Sequence, residues 1–383
     1  MAKTNSPLVL GSEPIGRLLT QYAIPAIIAM TASSLYNMAD SIFIGHGVGA
    51  LAISGLALTF PLMNLAAAFG SLVGVGASTL VSVKLGQKDY DGANHILGNV
   101  LVLNVLLGVG FTLVFWLLLD PILYFFGASE QTIGYARDYM RIILLGNVIT
   151  HMYLGLNSVL RSSGFPKMAM YATLSSVIIN CVLNPLFIFV FNWGIQGSAW
   201  ATVISQAISL TGQLIHFSKP TQLLHFRKGI YRLRAEIVQA ILSIGLSPFL
   251  MNLCSCMIVI LINRGLKEHG GDMAIGAYGI VNRIAFLFVM IIMGFNQGMQ
   301  PIAGYNFGAK LYHRVTEVTR LTMRWAVGVA SVGFLLCQLT PEVIIGLFTT
   351  DQELIDIASK GLHIVFAVYP IVGFQMVATN FFM

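Results

Sequence analysis

Charge is what this sequence has least of. Only 9% of its 383 residues are Asp, Glu, Lys or Arg, against roughly 25% in an ordinary soluble domain, too few to cover the surface of a water-soluble fold of this length. Cysteine is also sparse: Cys181, Cys254, Cys256 and Cys337 all fall inside apolar runs. They read as small buried hydrophobes, not as a disulfide framework. Cys254 and Cys256 would point about 200° apart on a helix, so they cannot share a metal. A phosphate loop and an HExxH metal motif are missing, and His151 stands alone in its apolar segment. Neither an enzyme nor a cofactor is therefore expected. The first 17 residues are polar and contain Glu13 and Pro14, unlike a cleavable signal peptide.

What fills the chain instead is apolar: 56% of residues are hydrophobic. Runs of about 20 such residues, enough to cross a hydrocarbon core of roughly 30 Å as helices, recur from Leu18 to the end. The solvent for most of the protein is therefore lipid. Periodicity and run length predict ten helical segments, at 18–43, 51–82, 95–119, 132–160, 168–191, 196–217, 236–263, 274–304, 319–339 and 354–380. Arg137, Asp138 and Arg141 put the start of the fourth outside the membrane. The one long polar interruption runs from Ser218 to Arg234, dividing the chain into 1–218, a linker at 219–234, and 235–383.

Lys and Arg outnumber acids by 21 to 15, and their positions explain the excess. Lys3, Arg17, Lys84, Lys88, Arg161, Lys167, Lys219, Arg227, Lys228, Arg232, Arg234, Lys310, Arg314 and Arg320 fall at the N-terminus or in every second loop. That asymmetry predicts a multi-pass protein of a bacterial-type cytoplasmic (inner) membrane with its N-terminus in the cytoplasm. No basic face with interleaved aromatics exists outside the loops, so nucleic acid is not an expected partner. A monomer in the lipid bilayer is expected.

The two halves resemble each other. An offset of 222 pairs Ala52 with Ala274, Ile53 with Ile275, Gly76 with Gly298, Gly86 with Gly308, Lys88 with Lys310 and Tyr90 with Tyr312. It also pairs Phe126 with Phe348, Ile133 with Ile355 and Ala136 with Ala358. Six helices return the chain to its starting side, so the repeats are parallel, as in secondary transporters built from two bundles around a central cavity. Arg161 maps to position 383, so nothing in the second half corresponds to segments 5 and 6. The expected fold is all-α, six helices plus four of an intended twelve.

Of the 15 acids, one lies in the inner part of an apolar helix: Asp40. A charged group there costs at least about 2.5–3.5 kcal/mol on insertion scales, so a function is expected of it. Tyr36 lies one turn earlier on the same face, and Asn37 three residues away. In segment 5, Asn180 and Asn184 repeat the i, i+4 spacing, with Pro185 next. Thr202 faces inward in segment 6 if Gly197, Ser198 and Ala201 mark the packed side. One carboxylate among neutral oxygens suits Na⁺ held at Asp40, or a proton exchanged there in the physiological range.

Pro25 and Pro248 remove backbone hydrogen bonds from segments 1 and 7 and are candidate helix hinges. Gly70 with Gly74 and Gly294 with Gly298 are spaced for close helix approach. Asn157, Asn37 and Arg283 are candidate substrate-cavity residues, and some of the 17 methionines could line an adaptable pocket.

The run Tyr36-Asn37-Met38-Ala39-Asp40-Ser41-Ile42-Phe43-Ile44-Gly45 resembles the first-helix signature of the multidrug and toxic compound extrusion (MATE) family. Asn180-Cys181-Val182-Leu183-Asn184-Pro185-Leu186-Phe187-Ile188-Phe189 and Gly194-Ile195-Gln196-Gly197-Ser198-Ala199-Trp200-Ala201-Thr202 are similar to the same family. So are Arg161-Ser162-Ser163-Gly164, Gly86-Gln87-Lys88 and Asn306-Phe307-Gly308-Ala309-Lys310. The resemblance implies an antiporter that expels small cationic or amphipathic drugs in exchange for Na⁺ or H⁺. It maps the first-helix acid to Asp40 and its polar partners to Tyr36, Asn180, Asn184 and Thr202. At Asn184 many relatives carry aspartate, so one carboxylate here does the work of two. Segments 7 and 8 carry no acid at depth, which argues against a second-lobe cation site. The rival is a lipid-linked saccharide flippase of the same broad superfamily, which calls for a more cationic cavity than one deep base, Arg283, provides.

Overall fold

The structure is a computed structural model. It describes residues 7–347 and 352–382, apart from the side chains at 7–8, 37–38, 50 and much of 256–276. Phe348, and the side chains of Asn37, Ala274 and Ile275, lie outside the described residues. Every regular element is a helix, with no strand among the described residues.

After a 3₁₀ turn at Pro7–Gly11 come α1 (Ile15–Gly47), α2 (Ala50–Gly86), α3 (Tyr90–Leu117), the short α4 (Leu119–Phe125), α5 (Ile133–Leu145), α6 (Asn147–Ser162) and α7 (Pro166–Pro185). A π-helical turn at Leu186–Val190 follows Pro185. Then come α8 (Gly194–Ser218), α9 (Ala235–Gly308), α10 (Tyr312–Leu339), the short α11 (Pro341–Gly346), α12 (Gln352–Ala367) and α13 (Tyr369–Phe381). Among the described residues seven helical stretches are long and apolar enough to cross a membrane, and nine if two bent pairs each count as one span. The sixth expected segment, α8, is helical but less apolar, because Ser198, Thr202, Ser205 and Ser209 interrupt it.

Two expectations change. Segment 4 is two helices, α5 and α6, bent by 56°; segment 10 is likewise α12 and α13, bent by 47°. The first bend falls at Gly146, where an added Cβ would lie 2.4 Å from Val203 on α8. Thr112 donates to the Leu144 carbonyl beside the break, at 2.8 Å. The second bend falls at Val368, just before Pro370, which cannot continue the ladder. The loop expected at 264–273 is also replaced, because helical hydrogen bonding runs through it within α9. That run still carries two candidate spans, Ala235–Ser255 and Ala277–Gly308. Gly76 lies against the Ile241 carbonyl and Gly86 against that of Tyr305. A straight helix would part Ile241 and Tyr305 by about 95 Å, far more than the ten residues between those glycines, so the run doubles back.

The 222 offset reappears in the backbone. α3 and α10 begin at Tyr90 and Tyr312 and end at Leu117 and Leu339; α4 and α11 begin at Leu119 and Pro341; α6 and α13 begin at Asn147 and Tyr369. The bends at Gly146 and Val368 obey the same offset.

The first 218 residues meet α9 along one half of α1 and α2. A Cβ on Gly76 would lie 2.0 Å from the Ile241 oxygen, one on Gly86 1.9 Å from that of Tyr305, and one on Gly308 2.1 Å from that of Val83. No larger residue fits these crossings. Gly294 and Gly298 pack on Ile27 and Ala23 of α1, whereas Gly70 and Gly74 pack on α6. Gln300 donates to Thr79 across the same contact, at 2.7 Å. The bases Lys84, Lys88 and Lys310 cluster at this end, and Asp40 stands toward the opposite one.

Candidate functional site

Asp40 occupies the last third of α1, and its side chain is 6% exposed. No base pairs with it among the described residues. Its Oδ1 accepts instead from Asn184 Nδ2 on α7 and from Ser198 Oγ on α8. Asn184 also lies 3.4 Å from Asn180 Oδ1, and the Asn180 amide donates to Thr202 Oγ1 at 3.1 Å and to the Tyr36 hydroxyl at 3.4 Å. Tyr36 and Thr202 close the ring at 2.8 Å. Tyr36 with Asp40, Asn180 with Asn184, and Ser198 with Thr202 are each one helical turn apart, so three helices each present an i, i+4 pair to one point.

Local sequence makes that convergence possible. The π-helical turn after Pro185 begins two residues beyond Asn184, and such turns re-aim side chains next to functional sites. Gly197 admits α8 to the chain after Pro185, since an added Cβ would lie 3.0 Å from Phe187 Cβ.

The five site residues expected from sequence, Asp40, Tyr36, Asn180, Asn184 and Thr202, are therefore in one network. Two participants were not anticipated. Ser198, fully buried, was read only as a small packing residue, although it lies one turn before Thr202. Tyr139 of α5 is fully buried and its hydroxyl approaches Thr202 and Ser198 without meeting hydrogen-bond geometry. Its polar neighbours Arg137, Asp138 and Arg141 had drawn attention to the exposed side of its helix.

The other candidates lie elsewhere. Asn157 is buried between α6 and α7: its amide donates to the Ala169 carbonyl at 2.9 Å and to Thr173 at 3.4 Å, and it accepts from Arg161 at 2.7 Å. Arg283 on α9 is exposed, with no hydrogen bond or ion pair among the described residues. Pro25 sits between two of the contacts that α1 makes with α9, Ala23 on Gly298 and Ile27 on Gly294. Neither Pro25 nor Pro248 ends its helix.

Chemically the site offers one carboxylate, three hydroxyls and two amide oxygens, of which Asn184 Oδ1 is buried without a partner. Hard monovalent or divalent cations take such oxygens, but the charge here is a single negative one. Among the described residues no cluster of three or more His, Cys, Asp or Glu could hold a metal ion, which disfavours a divalent ion. Two hydrogen bonds to a carboxylate contribute about 1.5–3 kcal/mol each, against a burial penalty of several kcal/mol for an unpaired ion. A single positive charge held at Asp40 would offset the remainder.

Comparison with known proteins bears on the family and the fold. A family model described as MatE matches residues 25–186 and 244–383. Multidrug export protein MepA of Staphylococcus haemolyticus (strain JCSC1435) is 30% identical over 351 residues, 90% of this chain and 76% of that protein. MepA of Staphylococcus aureus (strain MSSA476) is 29% identical over 351 residues, 91% of this chain and 76% of that one. A solved structure described as MATE in the bent conformation superposes with a TM-score of 0.93 at 23% identity, covering 99% of this chain and 84% of its own.

Proposed function

Since the chain belongs to the MatE family of multidrug and toxic compound extrusion transporters, we propose that it is a secondary antiporter exporting cationic or amphipathic organic compounds, driven by H⁺ or Na⁺ entering at Asp40. The observation that carries this reading is the hydrogen-bonded ring of Asp40, Asn184, Ser198, Asn180, Thr202 and Tyr36, with one negative charge and no basic partner among the described residues. The relatives named as multidrug export proteins support the choice of cargo.

On this reading the protein is a monomer of two bundles, 1–218 and 235–383, joined by the linker at 219–234. It lies in the inner membrane with its N-terminus in the cytoplasm, and it needs no cofactor beyond its coupling ion. Ion arrival at Asp40 draws α7 and α8 toward α1. Pro25, where α1 lacks a backbone hydrogen bond, absorbs the change of bend between two of its α9 contacts. The cavity expected on the first-half side of the two bundles then narrows and cargo leaves. An ion can drive this only by binding the two states with different affinity, and Asp40 is the one group whose charge supplies most of that difference. Asn37 and Arg283 are the proposed cargo contacts.

The test is efflux of a cationic dye from proteoliposomes, with a Na⁺ gradient and a pH gradient imposed separately. One of the two gradients is expected to accelerate efflux severalfold. Dye movement indifferent to both would refute ion-coupled export.

A further inference from the structure

Two peptide segments lie across the basic end of the protein, and each leads into the first helix of one half. The first is the turn before α1. Leu10 is buried there, and its carbonyl accepts from Asn306 Nδ2 at 3.0 Å and from Arg314 Nη2 at 3.1 Å. Arg314 also donates to the Glu13 carbonyl at 2.6 Å and to Asn306 Oδ1 at 2.9 Å. Asn306 and Arg314 belong to the second half, so the start of the first half is held by the second.

The second segment is the linker before α9, and it lies on α3 of the first half. Asn99 donates to the carbonyls of Ile230 and Arg232, at 3.5 and 3.2 Å, and accepts from the Arg234 amide at 3.0 Å. Asn94 treats Leu223 and His225 in the same way, at 3.3 and 2.9 Å. Leu224 and Ile230 are buried beneath the strap, and a Cβ on Gly98 would lie 2.2 Å from the Ile230 oxygen. Asp91 with Arg227, and His95 with Arg234, add polar contacts at the rim.

Leu10 and Arg232 are 222 positions apart, the offset that relates the two halves. Leu10, which leads into the first half, presents its carbonyl to a fully buried asparagine of the second, and Arg232, in the linker that leads into the second half, presents its carbonyl to one of the first. The asparagines are not repeat equivalents, because position 321, the counterpart of Asn99, is leucine. The crossing is thus reached twice by different residues, which ordinary helix packing does not require.

We propose that Asn99 and Asn306 are positioning residues of the transport cycle: they fasten the two crossing segments and so hold the basic end of the protein closed. The inference rests on the antiporter reading above, which requires the cavity to open at each end of the protein in turn. The glycine crossings between α2 and α9 lie at this same end, and they must part when the cavity opens there. A segment fixed to both halves resists that parting, so its asparagine sets how often the opening occurs.

The test uses electron-spin distance measurements on the full chain in lipid nanodiscs, without substrate or gradient. Spin labels are attached through Lys88→Cys and Lys310→Cys, two exposed turn positions at the basic end of opposite halves, with the natural cysteines replaced. Asn99→Leu, Asn306→Leu and a Gly-Ser insertion after Gly229 are compared with the parent. Gly229 has a φ of +92° and open space where a Cβ would stand, so the insertion slackens the linker without removing a buried side chain. Asn104→Leu is the control, because the Asn104 amide donates only to Val100 within its own helix.

Each clasp variant is expected to raise the long-distance population by about fivefold or more, while the control leaves it unchanged. An unchanged distribution in both Asn306→Leu and the insertion overturns the proposal, as does an equal shift in the control. Because no ion or cargo is present, this outcome is separate from any failure of gradient-driven export.

Discussion

Lys88 and Lys310, 222 positions apart, share a left-handed backbone, with φ of 61° and 59°. Both close the turn that follows a long helix ending in glycine, Gly86 and Gly308. An L side chain in that region costs about 1–2 kcal/mol, part of which glycine recovers while losing entropy in the unfolded chain. Lys88→Gly and Lys310→Gly are each expected to stabilise the protein by roughly 0.5–1 kcal/mol, additively, as read from thermal unfolding in detergent. A drop in melting temperature for either would contradict the backbone assignment.

Ser198→Ala separates the two candidate coupling ions. Ser198 donates to the Asp40 carboxylate. For H⁺ its loss deletes no ligand, and efflux keeps its dependence on the pH gradient with no change in Na⁺ response. For Na⁺ the same substitution deletes an oxygen ligand, and the Na⁺ concentration for half-maximal efflux rises about tenfold. Na⁺-driven efflux with that concentration unchanged would remove Ser198 from the site.

Asn157→Leu takes one hydrogen bond each from the Ala169 carbonyl and the Arg161 guanidinium between α6 and α7, leaving them Thr173 and Ser158. A loss of about 1–3 kcal/mol of stability is expected, with little change in the dye concentration for half-maximal efflux. A large change in that concentration with stability intact would make Asn157 a cargo contact instead.

Asp89 caps α3 by accepting from Gly92, and it pairs with Lys84 at 2.7 Å. Lys84 first, then the Gly92 amide, holds its carboxyl below the usual carboxylate range. A folded-state value below the unfolded one contributes stability that is present above the unfolded value and fades as pH falls through the folded one. Melting temperature in Asp89→Asn is therefore expected to fall less than in the parent between about pH 5 and pH 3. Parallel curves would show that the pair contributes nothing.

The helices and the heart of the site were legible in the sequence for physical reasons. Apolar runs of spanning length have few alternatives to a transmembrane helix, and a lone carboxylate such as Asp40 is too costly there to go unnoticed. Its partners Asn180 and Asn184 were visible as polar groups one turn apart on an otherwise apolar helix, and Thr202 by its place on the small-residue face of segment 6. Ser198 was not, because serine serves equally well as a small packing residue. The bend at Gly146 carries no proline, and 264–273 is polar and holds Gly265, Gly270 and Gly271, so local signals gave an unbroken helix at the first and a loop at the second. Contacts such as Asn99 on Arg232 join residues 133 apart and leave no periodic trace at all.

The most direct test of the account is gradient-driven dye efflux by Asp40→Asn in proteoliposomes, with dye binding measured in parallel to establish that the variant is folded. Asparagine preserves the shape and a partner for Ser198 while removing the only charge in the ring. The account predicts intact dye binding and efflux that no longer responds to either a Na⁺ or a pH gradient. Efflux that still follows an imposed gradient in this variant would contradict it.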